Sequence, residues 1–271
     1  MLIRAGYEIR FETEMPTPMM ALLSIHPSRH KDLKTPQRIE TFPDIPIYNF
    51  EDAFGNICTR LTVPPGGVTL SADFVIEDSG EVDVRAPDGP QMPVEELPDE
   101  ILLYLLGSRY CETDRLMDVA WSEFGAIDTA RGRVEAIVAF VHEHIRFGYE
   151  HARADRTAWN GYQEQIGVCR DFAHLAITLC RCMNIPARYC TGYLGDIGVP
   201  PVDAPMDFSA WFDVYIDGEW YTYDARHARP RIGRILMARG RDATDTALTT
   251  AFGRAILASF IVHTDEVLTV A

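Results

Sequence analysis

The chain has 271 residues, 47% hydrophobic and 24% charged, the proportions of a globular protein with room for one large domain or two unequal ones. Its 40 acidic and 25 basic residues leave a formal net charge of −15, which argues against nucleic acid and anionic membrane as partners. No stretch has the unbroken apolar length of a membrane helix, the first residues alternate instead of forming a leader, and 6 scattered cysteines suit a reducing cytoplasm better than a disulfide scaffold.

Residues 2–13 alternate, with Tyr7, Ile9 and Phe11 set against Glu8, Arg10 and Glu12, which predicts a half-buried strand. Met15-Pro16-Thr17-Pro18 interrupts it, and 19–25 reads as a second strand. Residues 27–46 are polar and proline-punctuated, an irregular crossing. Strands follow at 47–50 and 57–63 around the turn-rich link 52–56, then at 69–76 and 81–85. Short strands separated by turns predict an antiparallel sandwich over 1–90. No titratable cluster stands out there, so its expected role is support, interface or a lip of the substrate site.

Ala86-Pro87-Asp88-Gly89-Pro90 marks a boundary, and 91–271 has a different composition. Thr113 is placed to cap a helix with Leu116, Val119 and Ala120 on one face. Thr129 opens a second through Val134, Ile137, Val138, Val141 and Ile145, and 158–165 forms a shorter one. Then comes Gly167-Val168-Cys169-Arg170-Asp171-Phe172-Ala173-His174-Leu175. Apolar residues recur at 172, 175, 176, 179, 180 and 183, with Ala173, Ile177 and Cys182 filling the circumference, so this helix should be buried nearly all round. Cys169 falls at or just before its first turn, where unpaired N–H groups and the helix dipole favour a thiolate; it is the candidate nucleophile. Cys180, Cys182 and Cys190 read as small core residues. Asp171 meets the dipole favourably, a structural role first.

After Pro186 the pattern gives a strand at 187–193, a polar loop at 195–207, a hairpin of 210–216 and 220–224 across Asp217-Gly218, and a last strand at 257–263. Centring the turn on 217–218 sets Trp211 opposite Asp224 and Ser209 opposite Arg226. Ser209, Trp211 and Asp213 then share a face with Trp220, Thr222 and Asp224, while Phe212, Val214, Tyr221 and Tyr223 face the core. Ser209 and Asp224 become diagonal neighbours, a spacing that suits an imidazole reaching a carboxylate, yet position 209 holds serine.

The cysteine motif, Asn184-Ile185-Pro186-Ala187-Arg188, Gly192-Tyr193, Ala210-Trp211 and Trp220-Tyr221-Thr222-Tyr223-Asp224 together resemble the bacterial transglutaminase-like superfamily. The resemblance implies an α+β protein in which an N-terminal antiparallel β-sandwich (1–90) precedes a papain-like core (91–271) carrying a Cys-His-Asp triad. By matching, Cys169 takes the nucleophile place, Asp224 the orienting place, and Ser209 the place of the histidine; Trp211, Trp220 and Asp171 would support the cleft. The implied reaction is attack on a peptide, protein or small amide to give a thioester that water or an amine resolves, with no cofactor and no metal.

Serine cannot take a proton near neutral pH, so two readings stay open. One is a thiol acyl-transfer enzyme, whether amidase, peptidase or transamidase. The other is a non-catalytic binding or scaffold protein that retains the cleft. His227, three residues past Asp224, is a substitute base, but in the hairpin register it points to the opposite face. His174 reads as a satisfied core histidine, and His142 and His144 diverge on their helix and make a poor metal pair. Arg226, Arg229, Arg231 and Arg234 form a basic run, read as solvated or paired charge with an anionic-substrate clamp as the alternative.

Overall fold

The computed structural model describes residues 1–202 and 205–267. The chain runs β1 (Leu2–Glu12), β2 (Thr17–Ala21), β3 (Glu40–Phe42), β4 (Ile47–Glu51), β5 (Ile57–Val63) and β6 (Val68–Glu77), then helices α1 (Thr113–Phe124) and α2 (Ala130–His144). Two-residue strands β7 (Arg146–Phe147) and β8 (Ile166–Gly167) flank α3 (Ala158–Glu164). After α4 (Cys169–Cys182) come β9 (Ala187–Leu194), β10 (Ser209–Ile216), β11 (Glu219–Tyr223), β12 (Arg234–Gly240), β13 (Thr249–Ala251) and β14 (Ile256–Glu266).

Twelve strands assemble into three four-stranded antiparallel sheets, ordered β14-β1-β6-β3, β13-β2-β5-β4 and β11-β10-β9-β12, and β7 pairs with β8 in parallel. Helices packed on antiparallel sheet, behind N-terminal sheets, give the α+β class implied by the sequence. One core lies between the helices and the face of the third sheet that carries Phe212 and Val214, with Leu116, Ile137, Leu175 and Leu179 from the helices. The other joins Ile3, Ile9, Leu70 and Phe74 of the first sheet to Tyr193, Ile235 and Met237 of the third. Leu175, Ile177 and Leu179 of α4 have no exposed surface, and burial of each side chain stabilises the fold by about 1.5–3 kcal/mol.

The strand expected at 81–85 is absent: the segment joins no sheet, and Asp83 spends its polar groups on Arg231 and Arg234 instead. Its N–H donates to the Arg231 carbonyl at 2.9 Å, and its carboxylate accepts from the Arg231 N–H at 2.8 Å and Arg234 Nε at 2.9 Å. Thr113 is the first residue of α1 and not its cap; Glu112 stands at the cap position without a side-chain cap bond. Thr129 does cap α2, accepting from the Gly132 N–H at 3.1 Å. The final strand pairs along β1, with Val262 opposite Tyr7, so residues 256–266 complete the first sheet. Among the described residues, no helix is long and apolar enough to cross a membrane.

Candidate active site

The turn before α4 is set by a buried polar bracket. Asp171, 1% exposed, accepts from the Val168 N–H at 2.9 Å and from Arg156 Nη1 at 3.1 Å, both on Oδ2. Gly167 is needed here because a Cβ at that position would meet the Asp171 Cβ at 2.7 Å. The bracket makes Cys169 the first residue of α4, with Val168 extended before it. Cys169 is half-buried, whereas the other five cysteines are buried, and all six are free. Its enclosure dominates the electrostatics: burial pushes the thiol up to about 11, and the nearby Arg226 charge pulls it down only in part. Burial thus opposes the thiolate that the helix terminus favours.

The hairpin has the predicted register, Phe212 opposite Tyr223 and Ile216 opposite Glu219, with Asp217 and Gly218 both at positive φ. The strand alternation does not extend past Tyr223, and this changes the site. Residues 224–228 form a tight turn in which the Ala228 N–H donates to the Asp224 carbonyl at 2.8 Å and the His227 N–H to Asp224 Oδ1 at 3.0 Å. An aspartate that captures backbone N–H groups downstream is a common way to build such a turn. The turn swings His227 back so that its Nδ1 lies 2.8 Å from Asp224 Oδ2. Placing His227 on the opposite face by extrapolated alternation is thus corrected.

Asp224 is 1% exposed at its side chain and also accepts from Arg234 Nη2 at 3.0 Å. Burial alone would raise its pKa, but the His227 hydrogen bond and the Arg234 charge hold the carboxyl well below the usual range. An ionised Asp224 requires Nδ1 of His227 to donate, which leaves Nε2 as the acceptor. The His227 side chain is 20% exposed, and it lines one cavity of about 100 Å³ with Cys169, Asp207, Ser209, Arg226 and Arg231.

Ser209 lines the same cavity but is buried, and its Oγ has no hydrogen-bond partner among the described residues. The residue before it, Phe208, is locked into an aromatic cluster with Tyr193 at 5.0 Å, Phe260 at 5.7 Å and Tyr7 at 6.1 Å between ring centroids. The N-terminal sheets and β14 thereby brace one wall of the cavity. Trp211 and Trp220 do not line it. Trp211 is buried under the Arg234 guanidinium at 5.0 Å, and Trp220 packs on Tyr104, Tyr215 and Arg188. His174 is buried, accepts from the Ala243 N–H at 3.1 Å and stacks on Tyr110; burial lowers its pKa to about 3. His142 and His144 are separately engaged by the carbonyls of Ala225 and Tyr162.

A cysteine heading a buried helix, packed on an antiparallel sheet and sharing a cavity with a carboxylate-held imidazole, is the arrangement of papain-like proteins. Residues 122–225 match the family model of the transglutaminase-like superfamily. Over that stretch the chain is similar to members of that superfamily. A crystal structure from Cytophaga hutchinsonii described as a "putative cysteine protease" superposes with a TM-score of 0.84 at 29% identity, covering 99% of this chain and 92% of that one. A protein of Mycobacterium leprae (strain TN), "Uncharacterized protein ML0607", is 25% identical over 220 residues, 78% of this chain and 77% of that protein. The periplasmic domain of TgpA from Pseudomonas aeruginosa aligns at 12% identity and a TM-score of 0.40, covering 82% and 88% of the two chains.

Proposed function

We propose that this protein is a thiol-dependent amide acyl-transfer enzyme in which Cys169 is the nucleophile and His227, held by Asp224, is the base that Ser209 cannot be. The observation that carries this reading is the 2.8 Å contact between His227 Nδ1 and Asp224 in a residue that opens on the Cys169 cavity. It answers the feature that favoured a non-catalytic protein, the serine at 209.

The chemistry follows from the protonation states. Cys169 rests as a thiol, so its proton passes to His227 Nε2 as Sγ attacks the amide carbonyl. The Asp171 N–H is taken by the Val168 carbonyl, and the N–H groups of Cys169 and Arg170 at the start of α4 supply hydrogen bonds to the oxyanion. The C–N bond then breaks, the leaving amine takes the proton from His227, and a thioester remains on Cys169. Water attacks the thioester with His227 again as base, the C–S bond breaks, and the thiol recovers its proton; an amine in place of water gives transamidation. Six free cysteines suit the reducing cytoplasm in which such a thiol survives.

The test is acyl-enzyme trapping. Incubation with an activated acyl ester followed by peptide mass mapping is expected to place one acyl group on Cys169, formed at least a hundredfold more slowly in His227→Ala. Equal acylation rates in the two proteins, or none in the natural chain, would overturn the reading.

A further inference from the structure

Arg226 precedes His227 and lines the same cavity as Cys169. Its guanidinium carbon lies 3.8 Å from the centroid of the Phe147 ring. Stacking of this kind fixes the plane of the group and leaves its edge N–H donors free. Among the described residues Arg226 has neither an ion-pair partner nor a side-chain hydrogen bond, unlike Arg231 and Arg234 of the same basic run. Arg234 is held by Asp83 and Asp224 at 2.9 and 3.0 Å, and Arg231 donates to the Gly195 carbonyl at 2.9 Å and lies 3.9 Å from Asp196. Asp196 and Asp207 line the same cavity, but neither forms an ion pair with Arg226, so its edge N–H donors stay open to an external anion. Burial raises the Asp207 pKa and the Arg226 charge pulls it back in part, so the two feel each other without an ion-pair contact.

Resting on the reading of Cys169 as nucleophile, we propose that Arg226 selects substrates carrying a carboxylate within about one residue of the attacked amide. The planar fork of a stacked arginine matches a carboxylate in two parallel hydrogen bonds. The substrate class is therefore an acidic or carboxylate-terminated peptide, and not a neutral amide.

The experiment compares alkylation of the full chain by iodoacetate and by iodoacetamide. Both react with the same thiolate, so the ratio of their rates cancels any change in thiol ionisation and reads only the preference for an anion. The other five cysteines are buried, and Cys169→Ser supplies the background rate. Arg226→Gln is expected to lower the iodoacetate-to-iodoacetamide ratio at least about fivefold, the size of one ion pair worth about 1 kcal/mol. Arg226→Lys, which keeps the charge and loses the fork, is expected to fall between. Arg226→Met, which keeps an apolar chain over Phe147, repeats the measurement if the glutamine variant misfolds. A ratio unchanged in Gln and Met overturns the proposal, even if acyl-enzyme forms. A ratio that falls while no acyl-enzyme ever forms supports the anion site and overturns only the catalytic reading.

Discussion

His227 donates from Nδ1 to Asp224 Oδ2 across 2.8 Å, while Arg234 reaches the same oxygen from another side at 3.0 Å. The carboxylate is thus compensated twice in a site with almost no solvent. The imidazole is fixed in one tautomer, with its basic nitrogen free. Trp211 lies beneath Arg234 on the sheet face, so the pair is anchored to β10 as well as to its own turn.

If His227 is the base, His227→Ala should reduce the rate of Cys169 acylation by about 10²–10⁴-fold. The melting temperature should change little, because the side chain is partly exposed and the turn is also closed by the Ala228 N–H. Single-turnover kinetics with thermal denaturation of the same preparations checks both.

Ser209→His should not raise activity. Ser209 is buried and the cavity is already occupied by the His227 imidazole, so an added ring overpacks the wall braced by Phe208. A loss of about 1–3 kcal/mol in urea unfolding is expected, with no gain in acylation rate. A gain would show that position 209 remains the natural seat of the base.

Asp224→Asn should destabilise the fold by about 3–5 kcal/mol at pH 7, because Arg234 is left buried without one of its carboxylates. The depressed folded pKa of Asp224 sets the pH dependence. Its contribution is present above the unfolded value of about 4 and is lost as pH falls toward the folded value. The stability gap between the natural chain and the variant should therefore narrow below about pH 4. Denaturant titrations at pH 7, 5 and 3 measure it.

Cys169, with its thiol pushed up to about 11, should alkylate with iodoacetamide at a rate that climbs nearly tenfold per pH unit from pH 6 to 9. A rate already level at pH 7 would instead show a standing thiolate–imidazolium pair.

Asp171→Asn tests the bracket behind Cys169. It weakens the buried bond to Arg156 at 3.1 Å and should cost about 3 kcal/mol in stability. Because the Val168 turn aims Cys169, the acylation rate should fall while substrate KM changes little.

Most of the architecture was legible in residue order. The alternation around Tyr7, the buried periodicity of α4 and the Asp217-Gly218 turn each fix a local geometry that packing only reinforces. The candidate site was half legible. Cys169 and Asp224 are marked by what surrounds them in the chain, and the structure brings Cys169 to the same cavity as His227, which Asp224 holds from behind. His227 was misplaced because strand alternation was carried three residues beyond the point where Asp224 captures its own downstream N–H groups. The spacing Asp224-Ala225-Arg226-His227, an aspartate followed three residues on by a donor, was the available sign of a turn. The segment around Asp83 was misread as ladder because its partners, Arg231 and Arg234, lie about 150 residues away. The thiol was expected to be acidic because a helix terminus is visible in sequence, whereas the depth of its enclosure is a property of the finished pocket.

The first sheet closes only when β14 reaches β1, joining positions such as Tyr7 and Val262. Phe260 of that strand also presses on Phe208, next to the cavity wall. A ribosome-bound chain that has already displayed Cys169 therefore still lacks the shoulder behind its pocket until the last strand emerges. Synthesis order thus delays assembly of the thiol site, and such late, distant pairing slows folding. Cutting the chain before residue 256 would leave the Cys169 helix in place with its cleft unsupported.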